Sequence, residues 1–307
     1  MQLAEFPAGA IHRFLYPPNI PILLARGRQP GRTLVVTAGV HGDEYEGMRA
    51  IYDLFEGLNA DDLNGNIVAV PVLHVAAYGA GTRCSPLDGA NLARVFPGKP
   101  DGSPTEVLAW HFERDILPLA DAYIDLHSAG TSFVMPALAG YDASDAASLA
   151  LAEAFGAPVL WGHPVIAPGR TVSAAKARGI PWIYTEMRGA GRVHPDDLAF
   201  LRRGLRNALR YLGILPGELE HVPLEHHLFG DGNVDASITT ANRGFLITDL
   251  APLDEVSQGQ LLGRLVDLTG NLVEQFHAPV SGVIALVHAK PLVDSGEPLF
   301  LITQRKS

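Results

Sequence analysis

The run TLVVTAGVHGDE, residues 33–44, decides the fold of this chain. Its first six residues are apolar or threonine, rich in β-branched side chains, and too few for a helix. That pattern predicts a strand buried on both faces. The run then turns through Gly-Val-His-Gly and delivers His41, Asp43 and Glu44 at the strand's end. Residues 47–56 follow with Ile51, Leu54 and Phe55 on one side, the spacing of a helix with one apolar face. Working outward, residues 66–72 (NIVAVPV) and 122–126 (AYIDL) predict further strands, and residues 158–160 and 182–185 two more. Residues 196–212 carry the longest helical period, with Leu198, Leu201, Leu205, Leu209 and Leu212 in register. Buried strands alternating with helices imply an α/β domain with a mostly parallel or mixed sheet.

The pattern changes after Leu215-Pro216-Gly217. Short runs rich in Val, Ile and Leu recur at residues 244–250, 260–267, 280–288 and 299–303, punctuated by Gly, Pro and Asp. This spacing predicts a smaller all-β module. The expected organisation is therefore an α/β domain at residues 1–216 and a β module at 217–307. With 307 residues, 47% of them hydrophobic, the chain can bury a sizeable core. A net charge of −10 without a basic run argues against nucleic acid and anionic membranes as partners. Cys84 is the single cysteine, which excludes an internal disulfide. The amino terminus lacks a secretory pattern and no apolar run is long enough for a membrane helix, so a soluble cytoplasmic protein is expected. Homo-oligomerisation is compatible with the sequence.

His41 and Glu44 lie three residues apart and can face one ion. An imidazole and a carboxylate suit Zn²⁺, provided that a third ligand arrives from elsewhere. His127 closes the 122–126 strand and meets the first pair if the two strands are neighbours. Polar groups at the carboxyl ends of strands are where α/β sheets gather their ligands. Each histidine alone is equally well explained as a hydrogen-bonded turn residue.

The stretch AGVHGDEYEG, residues 38–47, resembles the succinylglutamate desuccinylase/aspartoacylase family, relatives of the zinc carboxypeptidases. RCSPLDGANLARVFPG at 83–98, DLHS at 125–128 and TEMRGAG at 185–191 are similar to that family's later signatures, in the same order. The resemblance implies a carboxypeptidase-like fold and one zinc per chain, held by His41, Glu44 and His127. It implies that Glu186 is the general base, which takes a proton from water and passes it to the leaving nitrogen. Arg83 would stabilise the oxyanion, and Arg94 would pair with a substrate carboxylate. Asn91 is assigned beside Arg94 to substrate binding. Where the family has Asn before that arginine, this chain has Ala93, which cannot donate an amide hydrogen bond. Carboxylate recognition is therefore expected to be weaker or built differently.

The segments 278–284 and 293–299 resemble barrel-sandwich halves of biotinyl/lipoyl-type domains. Met-Lys-Met is missing and Lys290 precedes a proline, so the module is read as structural or cleft-shaping. Asp125 is either a group that orients a ligating imidazole or a turn former. His163 is a candidate cleft residue, and Arg188 and Arg192 are either substrate contacts or solvated loop residues. Tyr184 and Trp182 are expected as packed strand residues, His226-His227 as linker, and Asp231-Gly232-Asn233 as a turn without a Ca²⁺-loop continuation. The expected activity is zinc-dependent hydrolysis of an N-acyl amino acid or a related small N-acyl amine. The rivals are a metallocarboxypeptidase acting on peptides and a non-catalytic protein that binds a metal or small molecule.

Overall fold

The computed structural model describes residues 1–306. The opening run forms the long strand β3 (Gln29–Ala38), and the edge before it is built by β1 (Ala10–Tyr16) and β2 (Ile20–Arg26). After β3 come α1 (Glu46–Glu56), β4 (Asn64–Val70) and β5 (Ala122–Leu126). The sheet runs in the order β1, β2, β4, β3, β5, then Trp182–Glu186, Leu138–Asp142 and Val159–His163. β4, β3, β5 and Trp182–Glu186 are mutually parallel, whereas β1, β2 and Leu138–Asp142 introduce antiparallel pairings. The sheet is mixed, as expected.

Side-chain alternation along these strands fills two separate cores. Leu34 and Val36 of β3 join Ile67, Ala69, Ile124 and Ile183 on one face, against α1 and the helix Pro195–Tyr211. Val35, Val68, Val70 and Tyr123 face the other way, against Leu108, Ala109 and Phe112 of the helix Pro104–Asp115. Covering both faces explains why the central strands read as continuous apolar runs rather than alternating ones. Burying Leu34, at 0% exposure, contributes about 1.5–3 kcal/mol, so the β3–α1 junction has a rigid base.

The main sheet does not stop at residue 216. His226–Phe229 pairs in parallel with Val159–His163 and antiparallel with Pro298–Arg305, which in turn pairs with Gly282–His288. The residues expected as linker, His226 and His227, are thus a strand that joins the two parts. Their adjacency on an extended chain sends them to opposite faces, which a linker reading had no way to use. Beyond this continuation lies a separate four-stranded sheet containing Gly244–Ile247, Leu261–Val266, Leu272–His277 and Leu292–Val293. It packs with Gly282–His288 and Pro298–Arg305 of the main sheet around a further apolar core that includes Leu265, Val293 and Phe300. No helix among the described residues is long and apolar enough to cross a membrane.

Candidate metal and catalytic site

The β3–β5 pairing sets Ala38 opposite Leu126, so the two chain segments leave the sheet side by side. His41 and Glu44 emerge after β3, and His127 emerges directly after β5. The three are buried, and their ligand atoms lie within 4.8 Å of one another. The turn is tight because Gly42 packs against the backbone of Ala77, where an added Cβ would overlap.

Hydrogen bonds fix how the two imidazoles face. His41 Nε2 lies 3.1 Å from Asn91 Oδ1, an oxygen that also accepts from the Ala93 amide at 2.9 Å. His127 Nε2 lies 3.0 Å from Asp125 Oδ2. Each Nε2–H therefore donates outward, and each Nδ1 is turned toward Glu44, at 2.7 Å from Oε1 and 2.8 Å from Oε2. Two imidazole lone pairs converging on one carboxylate form a donor set complementary to a divalent cation, and N/N/O donors suit zinc. The residues fit the metal.

The charges of these groups point the same way. Burial and the nearby Arg83 push the His41 imidazolium down to about 4. Burial alone would raise Glu44, but His41 and His127 outweigh it and hold the carboxyl well below its usual range. Burial also opposes a charge on His127, and there Asp125 and Glu44 prevail and raise it well above 6.5. The pocket favours positive charge between its carboxylates, whether carried by a proton or by a metal.

Asp125 is completely buried and accepts from three donors. Thr37 Oγ1 donates to Oδ1 at 2.6 Å, while Thr171 Oγ1 and His127 Nε2 donate to Oδ2. Of the two readings open from the sequence, the structure places Asp125 as the group that orients His127.

Glu186 ends the strand Trp182–Glu186, the other neighbour of β5, and its Oε2 has no hydrogen-bond partner among the described residues. Burial and the charge of Glu44 push its carboxyl up to about 8. Arg83 donates through Nη1 to Glu44 Oε1 at 3.0 Å. These groups border one open cavity, which His41, Arg83, Asp125, His127 and Glu186 share with Arg94.

Arg94 is brought to this cavity but is engaged there. Its Nε and Nη2 donate to Asp235 at 3.1 and 3.0 Å, and Nη1 donates to the Ala93 carbonyl. Three of the five guanidinium N–H groups are used, which leaves one on each terminal nitrogen. Asn91 does not reach the substrate side through its carbonyl, which serves His41 instead. Ala93 does line the cavity, so the missing amide is missing at the cavity wall. Arg188 is anchored to the buried Asp197, with Nη2 3.2 Å from Oδ1.

Two cavity groups, Arg170 and Tyr184, went unassigned or were read as packing in the sequence, while the candidate cleft residue His163 does line the cavity. Tyr184 lines the wall and donates to His163 Nε2 at 2.7 Å, while His163 Nδ1–H donates to the Gly230 carbonyl at 2.8 Å. Burial pushes His163 down to about 4, so it is neutral and keeps this tautomer near pH 7. Arg170 lines the same wall, with Nη2 3.1 Å from Asn233 Oδ1. The signal for Arg170 was the Pro-Gly-Arg-Thr turn before the helix Thr171–Ala177, which marks a loop at a strand's carboxyl end. No local signal shows that residues 230–235 fold over this cavity.

A profile described as the succinylglutamate desuccinylase/aspartoacylase catalytic domain matches residues 30–212. The chain is 36% identical, over 93% of its length and 85% of the relative's, to a protein of Halomonas elongata named N-alpha-acetyl-L-2,4-diaminobutyric acid deacetylase. Among solved structures, it is similar to the product-bound ectoine utilization protein EutE of Ruegeria pomeroyi. That match has a TM-score of 0.86 and 30% identity, covering 96% of this chain and 93% of that one. A succinylglutamate desuccinylase from Silicibacter sp. TM1040 also gives a TM-score of 0.86, at 29% identity and with the same coverages.

Proposed function

The chain belongs to the succinylglutamate desuccinylase/aspartoacylase family, and from that premise we propose that it is a zinc-dependent deacylase of N-acyl amino acids. One observation carries the reading. A buried carboxyl whose Oε2 has no other partner among the described residues shares a cavity with a His-Glu-His cation site and an arginine. Pure ligand binding gives no reason to hold a base there.

His41, Glu44 and His127 would hold one zinc, with Asn91 and Asp125 orienting the two imidazoles. The ion would supply Lewis acidity toward the acyl oxygen and would acidify water. Glu186 takes the proton of the attacking water and returns it to the amine nitrogen as the C–N bond breaks, a role open to a buried carboxyl whose Oε2 has no other partner among the described residues. Arg83 presents N–H groups to the acyl oxygen as that atom gains charge. Arg94 and Arg170, both on the cavity wall, receive the substrate carboxylate. Arg94 does so with the N–H groups that Asp235 leaves open, which is how recognition proceeds without the amide missing at Ala93.

We divide the chain functionally at residue 216, with the catalytic groups before it and the β part after it. The later part closes the cavity through residues 230–235, which favours a small N-acyl substrate over a peptide end. The relative named for N-acetyl-diaminobutyrate supports an N-acetyl amino acid as that substrate. The test combines elemental analysis of wild type and His41→Ala with a screen of N-acetyl, N-succinyl and N-formyl amino acids. About one zinc per chain, lost in the variant together with hydrolysis, is the expected result. No metal in either protein after zinc is added back would overturn the reading.

A further inference from the structure

The ionic groups around the cavity are matched in pairs, apart from two. Arg83 is paired with Glu44 at 3.0 Å and Arg94 with Asp235 at 3.0 Å. Asp125 is saturated by His127 and two threonines, and Glu186 is the base. Arg170 forms no ion pair among the described residues and donates only to the neutral Asn233. Asp231 lines the same cavity at its exposed rim and has neither an ion pair nor a hydrogen bond there. Apart from the candidate base Glu186, the unmatched charges are thus one cation and one anion.

The position of Asp231 is set by its neighbours. The Gly230 carbonyl accepts from His163 Nδ1, and Gly232 lies against the His163 ring at φ 63°. The ring's other nitrogen is held by Tyr184 of the adjacent wall. Both sides of Asp231 are therefore tied to a buried, neutral imidazole, and residues 233 and 235 are tied to Arg170 and Arg94. A loop fixed at four points on cavity-lining side chains carries the carboxylate of Asp231 to the cavity rim.

We propose that Asp231 is a specificity-determining residue that receives a cationic group at the end of the substrate side chain. The inference rests on the deacylase reading and adds to it the charge of the substrate side chain. Arg170 takes the α-carboxylate, and Asp231 then meets the cationic end of the same zwitterion. An acidic side chain would instead face Asp231 with like charge, and Asp235 already holds two of the Arg94 N–H groups. The cavity thus selects for a cation and against a second carboxylate.

The experiment compares kcat/KM for N-acetyl-2,4-diaminobutyrate and for N-acetylnorvaline, its neutral near-isostere, in the full-length wild type and in Asp231→Asn. Wild type is expected to favour the cationic substrate by about a hundredfold, and the variant by less than tenfold. Asp231→Lys should move the preference toward N-acetylglutamate. An unchanged ratio in Asp231→Asn would overturn the proposal while leaving the deacylase reading intact. If neither protein hydrolyses any N-acyl amino acid, the deacylase reading fails. Calorimetric binding of 2,4-diaminobutyrate then decides the residue: weaker binding to Asp231→Asn supports the ammonium site, and equal binding overturns it.

Discussion

Replacing Asp125 by Asn tests whether the site depends on how His127 is held. The change is nearly isosteric, so it alters hydrogen bonding and charge with little change of volume. Asp125 offers two acceptor oxygens to three donors, His127 Nε2–H, Thr171 Oγ1–H and Thr37 Oγ1–H. Thr37 cannot turn its proton elsewhere without cost, because its oxygen lies 2.6 Å from the Tyr123 hydroxyl and receives that proton. An amide has one acceptor and one donor end. It can satisfy Thr37 or His127, but not both, and one buried donor then faces an N–H. Losing one charge-assisted hydrogen bond at a fully buried position costs about 1.5–3 kcal/mol. If that cost falls on the tautomer that presents Nδ1 to the metal, zinc binds ten- to a hundredfold more weakly, about 1.4–2.7 kcal/mol. The two estimates agree. The assay is competition for zinc with a chromophoric chelator, alongside denaturant unfolding of both zinc-loaded proteins. Affinity within about threefold of wild type, in a variant that folds normally, would refute the view that Asp125 orients His127.

Glu186→Gln should keep its zinc and lower kcat by about 10²–10⁴, with near-normal turnover ruling out the base assignment. His163 is almost wholly buried and is pushed down to about 4, against about 6.5 when unfolded. Between those values the unfolded chain binds the proton first, so stability is lost as pH falls through this window, by about 3 kcal/mol near pH 4. His163→Gln should remove that share of the acid sensitivity in denaturant titrations at pH 7 and 4.5; an identical pH dependence in both proteins would contradict it. Gly232→Ala places a side chain at φ 63° against the His163 ring. It should displace residues 230–235 and raise KM while zinc content stays at wild-type level, at a cost of about 1–3 kcal/mol in strain. An unchanged KM would show that this loop does not shape the substrate side of the cavity.

The candidate metal site could be read from the chain because each half is local. His41-Gly-Asp-Glu44 and Asp125-Leu-His127 each follow an apolar strand, and strand ends are legible from hydrophobicity. The central strands and the long Leu-patterned helix were visible for the same reason: burial on a fixed side writes a period into the sequence. Several elements were not visible. The helix Ala146–Phe155 is so rich in alanine and leucine that its period fades, although Asp145 caps it through Ala147 N and Ser148 N. Helix Pro104–Asp115 carries a Ser103–Glu106 capping box that local reading could have found. β1 lies at the sheet edge, where half-buried residues blur the alternation, and β2 beside it is a mostly buried run without alternation.

The sequence by itself determined which side chains stand ready to hold a cation, His41, Glu44 and His127, and, through the family resemblance, which carboxyl is the candidate base. Only the tertiary structure decided what that chemistry is presented with. The residues that shape the far side of the cavity, His163, Arg170, Tyr184, Asp231 and Asp235, come from four separate segments. Their contacts span up to 141 positions along the chain. Such contacts depend on how His226–Phe229 joins the sheet beside Val159–His163. Backbone pairing brings that strand in, and the loop after it follows. Strand pairing across long separations leaves no periodic trace in either partner, so the polar residues it brings together look like ordinary turn residues until the chain is folded.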